Sequence, residues 1–308
     1  MQALINTWIS APPPPQNPSV NMKQPAYFLA HGSPFWIPNK TASGPTFLKK
    51  LGKEILSSPS PPKSMLIISA HWETNNDVKV TTAATHKLLY DYYGFPKNFY
   101  DVKYPAKGDP TMAQETISLL KKAGFKVDEE RERGLDHGVF TPLIYLFPNQ
   151  ELPIVQLSLP ITNKTEDYYR LGAALRPLRD QGVMIVGSGF ILHNLRLLMP
   201  KFQNGGSETD PILPWADEFV KASEKVALDV PASEEGRKEG VLGLFKLNSY
   251  STAHPSPEHF APFVVAVGAA GGDAGHLIHS HWWGGLESED SFRFGELGEK
   301  TEGVRNEL

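Results

Sequence analysis

The chain has 308 residues, of which 40% are hydrophobic and 21% are charged, proportions typical of a globular protein rather than of a disordered or coiled-coil chain. The formal net charge of −4 provides no field that would attract a polyanion, which argues against nucleic acid as a partner. No cysteine is present, which excludes disulfides, thiolate metal sites and cysteine nucleophiles. Any metal ion must therefore bind to His, Asp or Glu.

The amino-terminal segment predicts neither export nor membrane insertion. MQALINTWIS lacks a basic start and a long apolar stretch, and no run of eighteen apolar residues occurs in the chain. We therefore predict a cytoplasmic protein with no membrane partner. The proline-rich stretch APPPPQNPS predicts that residues 1–24 form an extended or disordered leader. Residues 25–308 then form a single catalytic domain, because α/β folds of this size can enclose one core.

Short apolar runs alternate with amphipathic stretches along the rest of the chain, which predicts an α/β fold with helices covering a sheet. The predicted strands are AYFLA (26–30), SMLIISA (64–70), VKVTTA (78–83), LPIVQLSL (152–159) and VMIVGSG (183–189). The predicted helices lie in 47–56, 111–124, 165–181, 213–229 and 234–247.

The carboxyl-terminal part predicts one buried helix and a closing pair of strands. PEHFAPFVVAVGAAG (257–271) is apolar and ends in glycines, and Ser256 and Pro257 suit the first positions of a helix. This places His259 in the first turn. HLIHSHWW and SFRFG are the two strands, and the alternation of His276, His279 and His281 fits a structural role on the first of them.

Three histidines follow predicted strands, namely His31 after YFLA, His71 after LIISA and His193 after MIVGSGFIL. In open α/β sheets the carboxyl ends of the strands meet at one edge, where ligands bind. A single histidine there could equally be a core residue whose imidazole hydrogen-bonds to the backbone. Three in equivalent positions favour a common site.

Other candidate residues carry a weaker signal. His137 lies in GLDHG, where Asp-His-Gly is also typical of a turn. Three aromatic side chains could line a substrate pocket, although buried aromatic residues are more often part of the core: Tyr92, Tyr93 and Trp282.

Several neutral imidazoles without thiolates suit iron(II), zinc or copper better than calcium or magnesium, which prefer oxygen ligands. Iron(II) with open coordination positions could bind a catechol and dioxygen together. Zinc in the same place would activate water for hydrolysis. The residues alone leave both chemistries open.

Five segments, in order, carry a family resemblance: FLAHGSP (28–34), LIISAHWE (66–73), GLDHGVFTPL (134–143), GSGFILHNL (187–195) and PEHFAPFVVAVGAAG (257–271). Together they resemble the class III extradiol ring-cleavage dioxygenases of the LigB superfamily, and most closely the 4,5-DOPA extradiol dioxygenases. The resemblance extends from about residue 25 to residue 290, nearly the whole chain after the proline-rich stretch.

The resemblance implies a three-layer α/β/α sandwich around a central, mostly parallel or mixed sheet, in one domain. It implies that His31, His71 and His259 are metal ligands. By the same matches, His193 is the catalytic acid/base and His137 a second active-site histidine that contacts substrate. The implied cofactor is iron(II), with zinc(II) able to occupy the isolated protein, and the implied substrates are a catechol and O2, which give a semialdehyde.

The choice of His259 over its neighbour needs a separate argument. Many extradiol enzymes bind iron through two histidines and one carboxylate, and Glu258 precedes His259. Adjacent side chains on a helical turn point in different directions, so only one of them is expected to reach the metal. Because the DOPA-type branch resembles a three-histidine site, we assign His259. Three neutral ligands leave the full 2+ charge on the metal, which favours a catecholate anion.

Two alternative functions remain open at this point. One is a zinc hydrolase that uses the same histidines with Glu73 or Glu258 as its base. The other is a non-catalytic interaction protein, because the Memo proteins resemble this dioxygenase fold. The presence of all five motif histidines favours the enzyme.

Overall fold

The structure, a computed structural model, describes residues 23–75, 77–229 and 233–298. The strands are β1 (Ala26–Ala30), β2 (Ser64–Asn75), β3 (Val78–Thr81), β4 (Val127–Glu130), β5 (Ile154–Ile161), β6 (Val183–Gly189), β7 (Gly275–His279), β8 (Trp282–Trp283), β9 (Glu287–Ser288) and β10 (Ser291–Phe294). The helices are α1 (Ser43–Leu56), α2 (Pro110–Lys122), α3 (His137–Leu146), α4 (Glu166–Asp180), α5 (Leu195–Gln203), α6 (Pro214–Leu228), α7 (Glu234–Gly243), α8 (Tyr250–Ala253) and α9 (Ala261–Ala270).

Eight of these strands form one mixed sheet in the order β4-β3-β5-β2-β6-β1-β10-β7. Its centre, β5-β2-β6-β1, is parallel throughout. The flanking strands join antiparallel, β3 on β5 and β10 on β1. Because parallel central strands are buried on both faces, they are apolar at nearly every position, which is why the short apolar runs of the sequence identified them.

Helices cover both faces of the sheet. Alternate residues of β1 separate into two cores, since successive side chains of a strand point to opposite faces: Ala26 and Phe28 belong to one core, and Tyr27 and Leu29 to the other. The first core contains residues of α2, α4, α6, α7 and α9, and the second contains residues of α1 and α3. The predicted three-layer α/β/α sandwich in a single domain is confirmed.

Helix α9 lies at the centre of the first core, and every one of its residues is buried. It packs closely against α4, where a Cβ added to Gly172 would lie 2.0 Å from the carbonyl oxygen of Val265. Three arginines donate to the last carbonyl groups of α9 and the residues after it: Arg176 to Gly268, Arg179 to Ala269 and Ala270, and Arg237 to Gly271. These cations satisfy carbonyl groups that a helix end leaves without partners.

Two predictions for the carboxyl-terminal part are corrected. The helix expected from Pro257 begins instead at Ala261, so His259 lies in the turn before it. Pro262 occupies the first turn of α9, and its missing N–H suits a helix start rather than an interior position. The strand expected over HLIHSHWW is divided, because β7 ends at His279 and Trp282–Trp283 pair with β9 in a separate two-stranded sheet.

A leader was predicted for residues 1–24. Residues 1–22, which include the proline-rich stretch, lie outside the described residues. Gln24 is buried, and its backbone exchanges hydrogen bonds with Arg179. Within the part of the chain that the structure describes, none of the helices has the length and apolar character needed to cross a membrane.

Replacing Gly172 by Ala should destabilise the protein, because the new methyl group would force α4 away from the backbone of α9. We expect a loss of about 1–3 kcal/mol in the free energy of unfolding, measured by urea denaturation. Gly240→Ala in α7 is the matched control, since its nearest neighbour would be the side chain of Val226 at 3.6 Å. It should be neutral or stabilising by up to about 1 kcal/mol. Equal effects of the two substitutions would contradict this account of the helix contact.

Candidate active site

Three of the predicted site histidines lie at the carboxyl-end edge of the parallel strands. His31 directly follows β1, and His193 lies four residues beyond the end of β6. His71 differs from the prediction, because β2 continues past it to Asn75. The register between β2 and β5 shifts between Ile68 and Glu73, so His71 occupies an irregular part of the strand rather than its end.

The other two histidines reach the same place from the starts of helices. His137 is the first residue of α3, so the Asp-His-Gly sequence begins a helix rather than forming an isolated turn. His259 precedes α9, and its carbonyl oxygen accepts a hydrogen bond from the backbone N–H of Phe190. The structure therefore brings all five motif histidines together from separate segments of the chain.

His31, His71 and His259 face one another with ligand atoms within 4.8 Å. The Nε2 atoms of His31 and His71 are 3.1 Å apart. The Nε2 atom of His259 is buried and has no hydrogen-bond partner within the described residues, while its Nδ1 atom contacts Glu258. An unpartnered buried nitrogen is costly. Together, the imidazole nitrogens of these three residues fit the donor set of a borderline divalent metal such as iron(II) or zinc.

Burial keeps these rings neutral. It is the largest cause that lowers the pKa of His31, His71 and His259 well below the usual range, and neighbouring histidines lower each pKa further. Only the neutral imidazole can bind a metal ion, so no proton has to be displaced from these rings near pH 7.

Two carboxylates lie behind the cluster. Glu258 Oε1 is 3.0 Å from His259 Nδ1, so the carboxylate that the sequence argument weighed against His259 contacts that ring directly. Asp91 was not identified from the sequence. Its Oδ1 accepts hydrogen bonds from the backbone N–H of His137 at 2.8 Å and from its Nδ1 atom at 2.9 Å. Its Oδ2 lies 3.5 Å from Nδ1 of His71.

The side chain of Asp91 lies against the first N–H group of α3, where the helix dipole favours negative charge. Burial by itself would raise the pKa of Asp91, but its hydrogen bonds with His137 and the charges of His137 and His71 have the opposite effect. The pKa of Asp91 lies below its usual value as a result, which keeps the group ionised.

His193 stacks on His259 with ring centroids 3.3 Å apart. Burial, followed by the nearby His137, lowers the pKa of His193 to about 4. The segment carrying His193 is fixed by two contacts: its N–H donates to Ala253, and His254 Nε2 donates to Ile191 at 2.8 Å. His193 is therefore a neutral imidazole held in a fixed position beside His31, His71 and His259.

A buried polar network supports β2 near His71. Asp136, fully buried, accepts hydrogen bonds from Ser69 at 2.7 Å and from Gln156 at 2.5 Å. Arg133 contacts both Asp136 and the carbonyl oxygen of His71. The network links the strand that carries His71 to the first turn of α3.

Two glycines permit the close approach of these segments. An added Cβ on Gly138 would lie 2.5 Å from Ser69 Oγ and 2.9 Å from the ring of His71. One on Gly189 would lie 2.3 Å from the carbonyl oxygen of His259. The glycines of the GLDHG and GSGF segments are therefore steric requirements of the site.

The remaining candidates divide between the site and its surroundings. The ring of Tyr92 lies 5.7 Å from that of His137, whereas Tyr93 is 90% exposed. Trp282 packs partly buried against the first core.

Glu73 lies near Glu258. Burial, followed by the charge of Glu258, raises the pKa of Glu73. Three histidines lie close to glutamates elsewhere: His276 to Glu296, His279 to Glu289 and His281 to Glu208.

Comparison with known proteins identifies the family. Residues 25–294 match the family described as the catalytic LigB subunit of aromatic ring-opening dioxygenase. The chain is 37% identical over 276 residues to the 4,5-DOPA dioxygenase extradiol of Beta vulgaris, which covers 89% of this chain and 97% of that protein. It is 32% identical over 247 residues to the protein of the same name from Escherichia coli K12, covering 80% and 85% of the two chains.

A solved structure agrees with these sequence matches. An uncharacterized protein from Escherichia coli K12 superposes with a TM-score of 0.69 at 28% identity, over 88% of this chain and all of that one. The chain belongs to the LigB family of aromatic ring-opening dioxygenases. Within that family it is an extradiol ring-cleavage dioxygenase, as the sequence resemblance implied.

The buried His254 should make the metal-free protein less stable in mild acid. Burial lowers the pKa of His254 to about 3, whereas an unfolded histidine titrates near 6.5. Below pH 6.5 the unfolded chain therefore binds a proton that the folded chain does not, and stability falls as the pH falls. Between pH 7.5 and 5.5 this one group should cost about 1.4 kcal/mol.

The measurement is urea denaturation of the metal-free protein at both pH values. His254→Gln keeps a donor for the carbonyl oxygen of Ile191 but cannot titrate. Between the two pH values, the variant should therefore lose about 1.4 kcal/mol less stability than the wild type. Identical losses in the wild type and the variant would show that His254 does not contribute.

Proposed function

We propose that the protein binds iron(II) through His31, His71 and His259 and uses O2 to open the ring of a catechol, DOPA or a related compound, to a semialdehyde. The observation that carries this proposal is the convergence of three neutral imidazoles, one of which has a buried Nε2 atom without a partner within the described residues. Membership of a ring-opening dioxygenase family favours this chemistry over the zinc hydrolase and the non-catalytic interaction protein.

The donor set suits either iron(II) or zinc(II), since both bind imidazole well. When bound, iron(II) would hold the catechol and O2 side by side and pass electrons between them, whereas zinc(II) has no redox chemistry. The carboxylates Asp91 and Glu258 lie behind two of the three rings. They would offset part of the 2+ charge that three neutral ligands leave on the metal, as carboxylate partners of metal-bound histidines do elsewhere.

His193 is the proposed acid/base. It is neutral near pH 7 because its pKa is about 4, and its ring is stacked on that of the proposed ligand His259. A base in this position can accept the proton of a catechol hydroxyl at its unprotonated ring nitrogen and return it to a product oxygen.

His137 is the proposed second active-site histidine. Its ring lies 3.9 Å from that of His71 and 5.6 Å from that of His31, measured between centroids. A side chain there can hold a substrate hydroxyl by a hydrogen bond. The nearby Tyr92 provides an aromatic surface beside it, which suits an aromatic substrate.

Metal exchange tests the proposed reaction directly. The protein is stripped of metal and reloaded with iron(II) or zinc(II) in the absence of oxygen. It is then supplied with oxygen and with DOPA or simpler catechols. We expect oxygen uptake and a yellow ring-opened product with iron(II) alone, and the preferred catechol to define the substrate. Tight iron binding without oxygen uptake for any catechol would refute the proposal.

His193→Ala should keep its metal and lose turnover, because the ring is a proton carrier rather than a ligand in this proposal. We expect kcat to fall by about 10²-fold or more, with iron content unchanged by elemental analysis. His276→Ala is the matched control, since His276 lies on the edge strand β7, where it contacts Glu296 rather than the site histidines. Loss of iron from the His193 variant would show that its assigned role is wrong.

A further inference from the structure

Asp91 contacts two histidines that have different proposed roles. Oδ1 accepts the Nδ1 hydrogen bond of His137, and Oδ2 faces Nδ1 of the metal-ligand candidate His71. The two imidazole rings are 3.9 Å apart between centroids. One carboxylate therefore spans both rings from the side away from their Nε2 atoms.

The segment that carries Asp91 is held in place by its neighbours. The backbone N–H of Leu89 donates to Leu135 at 2.7 Å, which ties the segment to the residue two positions before His137. On the other side the hydroxyl of Tyr90 donates to Val102 and that of Tyr92 to Phe99, both at 2.6 Å. Asp91 is thus a fixed acceptor rather than a surface carboxylate that samples many positions.

We propose that Asp91 is a positioning residue that sets the ring orientation and the tautomer of both His71 and His137 by attracting the Nδ1–H group of each. An ionised carboxylate can only accept hydrogen bonds, so each neutral ring that faces it carries its proton on Nδ1. The Nε2 atom of each ring then has a free lone pair. Carboxylate partners of this kind fix the tautomer of metal-binding histidines in other proteins.

For His71 the consequence is a lone pair directed at the proposed metal position. Its Nε2 atom is the one that lies 3.1 Å from Nε2 of His31. With the opposite tautomer, His71 would present an N–H to that position and could not bind a metal ion.

For His137 the consequence concerns substrate, and it rests on the proposed function. A neutral ring with its proton on Nδ1 can accept a hydrogen bond at Nε2 but cannot donate one there. In its neutral form, His137 would therefore accept the hydrogen bond of one catechol hydroxyl, while His193 would accept that of the other. A catechol has two hydroxyl groups, and the site would offer one nitrogen acceptor to each.

Asp91→Asn tests this assignment in the full-length protein, because the amide keeps the shape of the side chain but offers one acceptor and one donor group. An amide donor facing His71 or His137 would favour the wrong tautomer of that ring. We expect zinc affinity, measured by competition with a chromophoric chelator, to fall about 10–100-fold. In ¹⁵N NMR spectra of the zinc-loaded protein, the Nδ1-protonated signals of His71 and His137 should be lost or changed. Asp101→Asn, an exposed carboxylate near the same segment, is the matched control and should leave both measurements unchanged.

A double-mutant cycle separates the two roles. His137→Ala should lower kcat while leaving zinc affinity nearly unchanged, and adding Asp91→Asn should then weaken zinc binding with little further loss of kcat at saturating iron. Wild-type zinc affinity and unchanged histidine tautomers in Asp91→Asn would overturn the proposal. So would fully additive effects of the two substitutions on kcat. The zinc and NMR measurements need no turnover, so they decide the role of Asp91 even if the proposed reaction fails.

Discussion

The site depends on keeping imidazoles neutral where water is excluded. His31 and His259 are buried and His71 is mostly buried, and burial is the main cause of their lowered pKa values. A charged histidine in such a place would be costly, since desolvation disfavours the ionised form. The parallel sheet meets this requirement because its strand ends bring distant segments together under a cover of helices. The fold thus supplies neutral imidazoles, which would bind a metal ion without first losing a proton.

In the proposed arrangement, the negative charge near the metal would come from carboxylates that do not bind it. Glu258 contacts His259 through Nδ1, and Asp91 contacts His137 and faces His71. Asp136 lies further back and joins β2 to α3 through Ser69, Gln156 and Arg133. These polar groups therefore form part of the site, because they contact the imidazole rings or hold the segments that carry them.

Much of this could be predicted from the sequence. Apolar runs located the buried parallel strands, and the motifs around five histidines predicted the family and which residues would converge. The role of Asp91 could not be predicted, because its segment, YDYYGFP, has no regular period and its partners are distant in sequence. The start of α9 was misplaced because Pro257 and Pro262 both suit a helix start, and only the tertiary contacts of His259 decide between them.

Three arginines hold the carboxyl-terminal end of α9, which is the end away from the site. Because α9 packs on α4 and on β1, β2 and β6 without a polar residue of its own, it has no aqueous surface along which it could fray. Its one end follows His259, and its other end is held by Arg176, Arg179 and Arg237. Such an element opens as a cooperative unit or not at all, so its amide protons should exchange with solvent only through large-scale opening. His259, which lies just before α9, should therefore keep its position for as long as the core stays folded. A residue on a mobile loop would lose its position far more often.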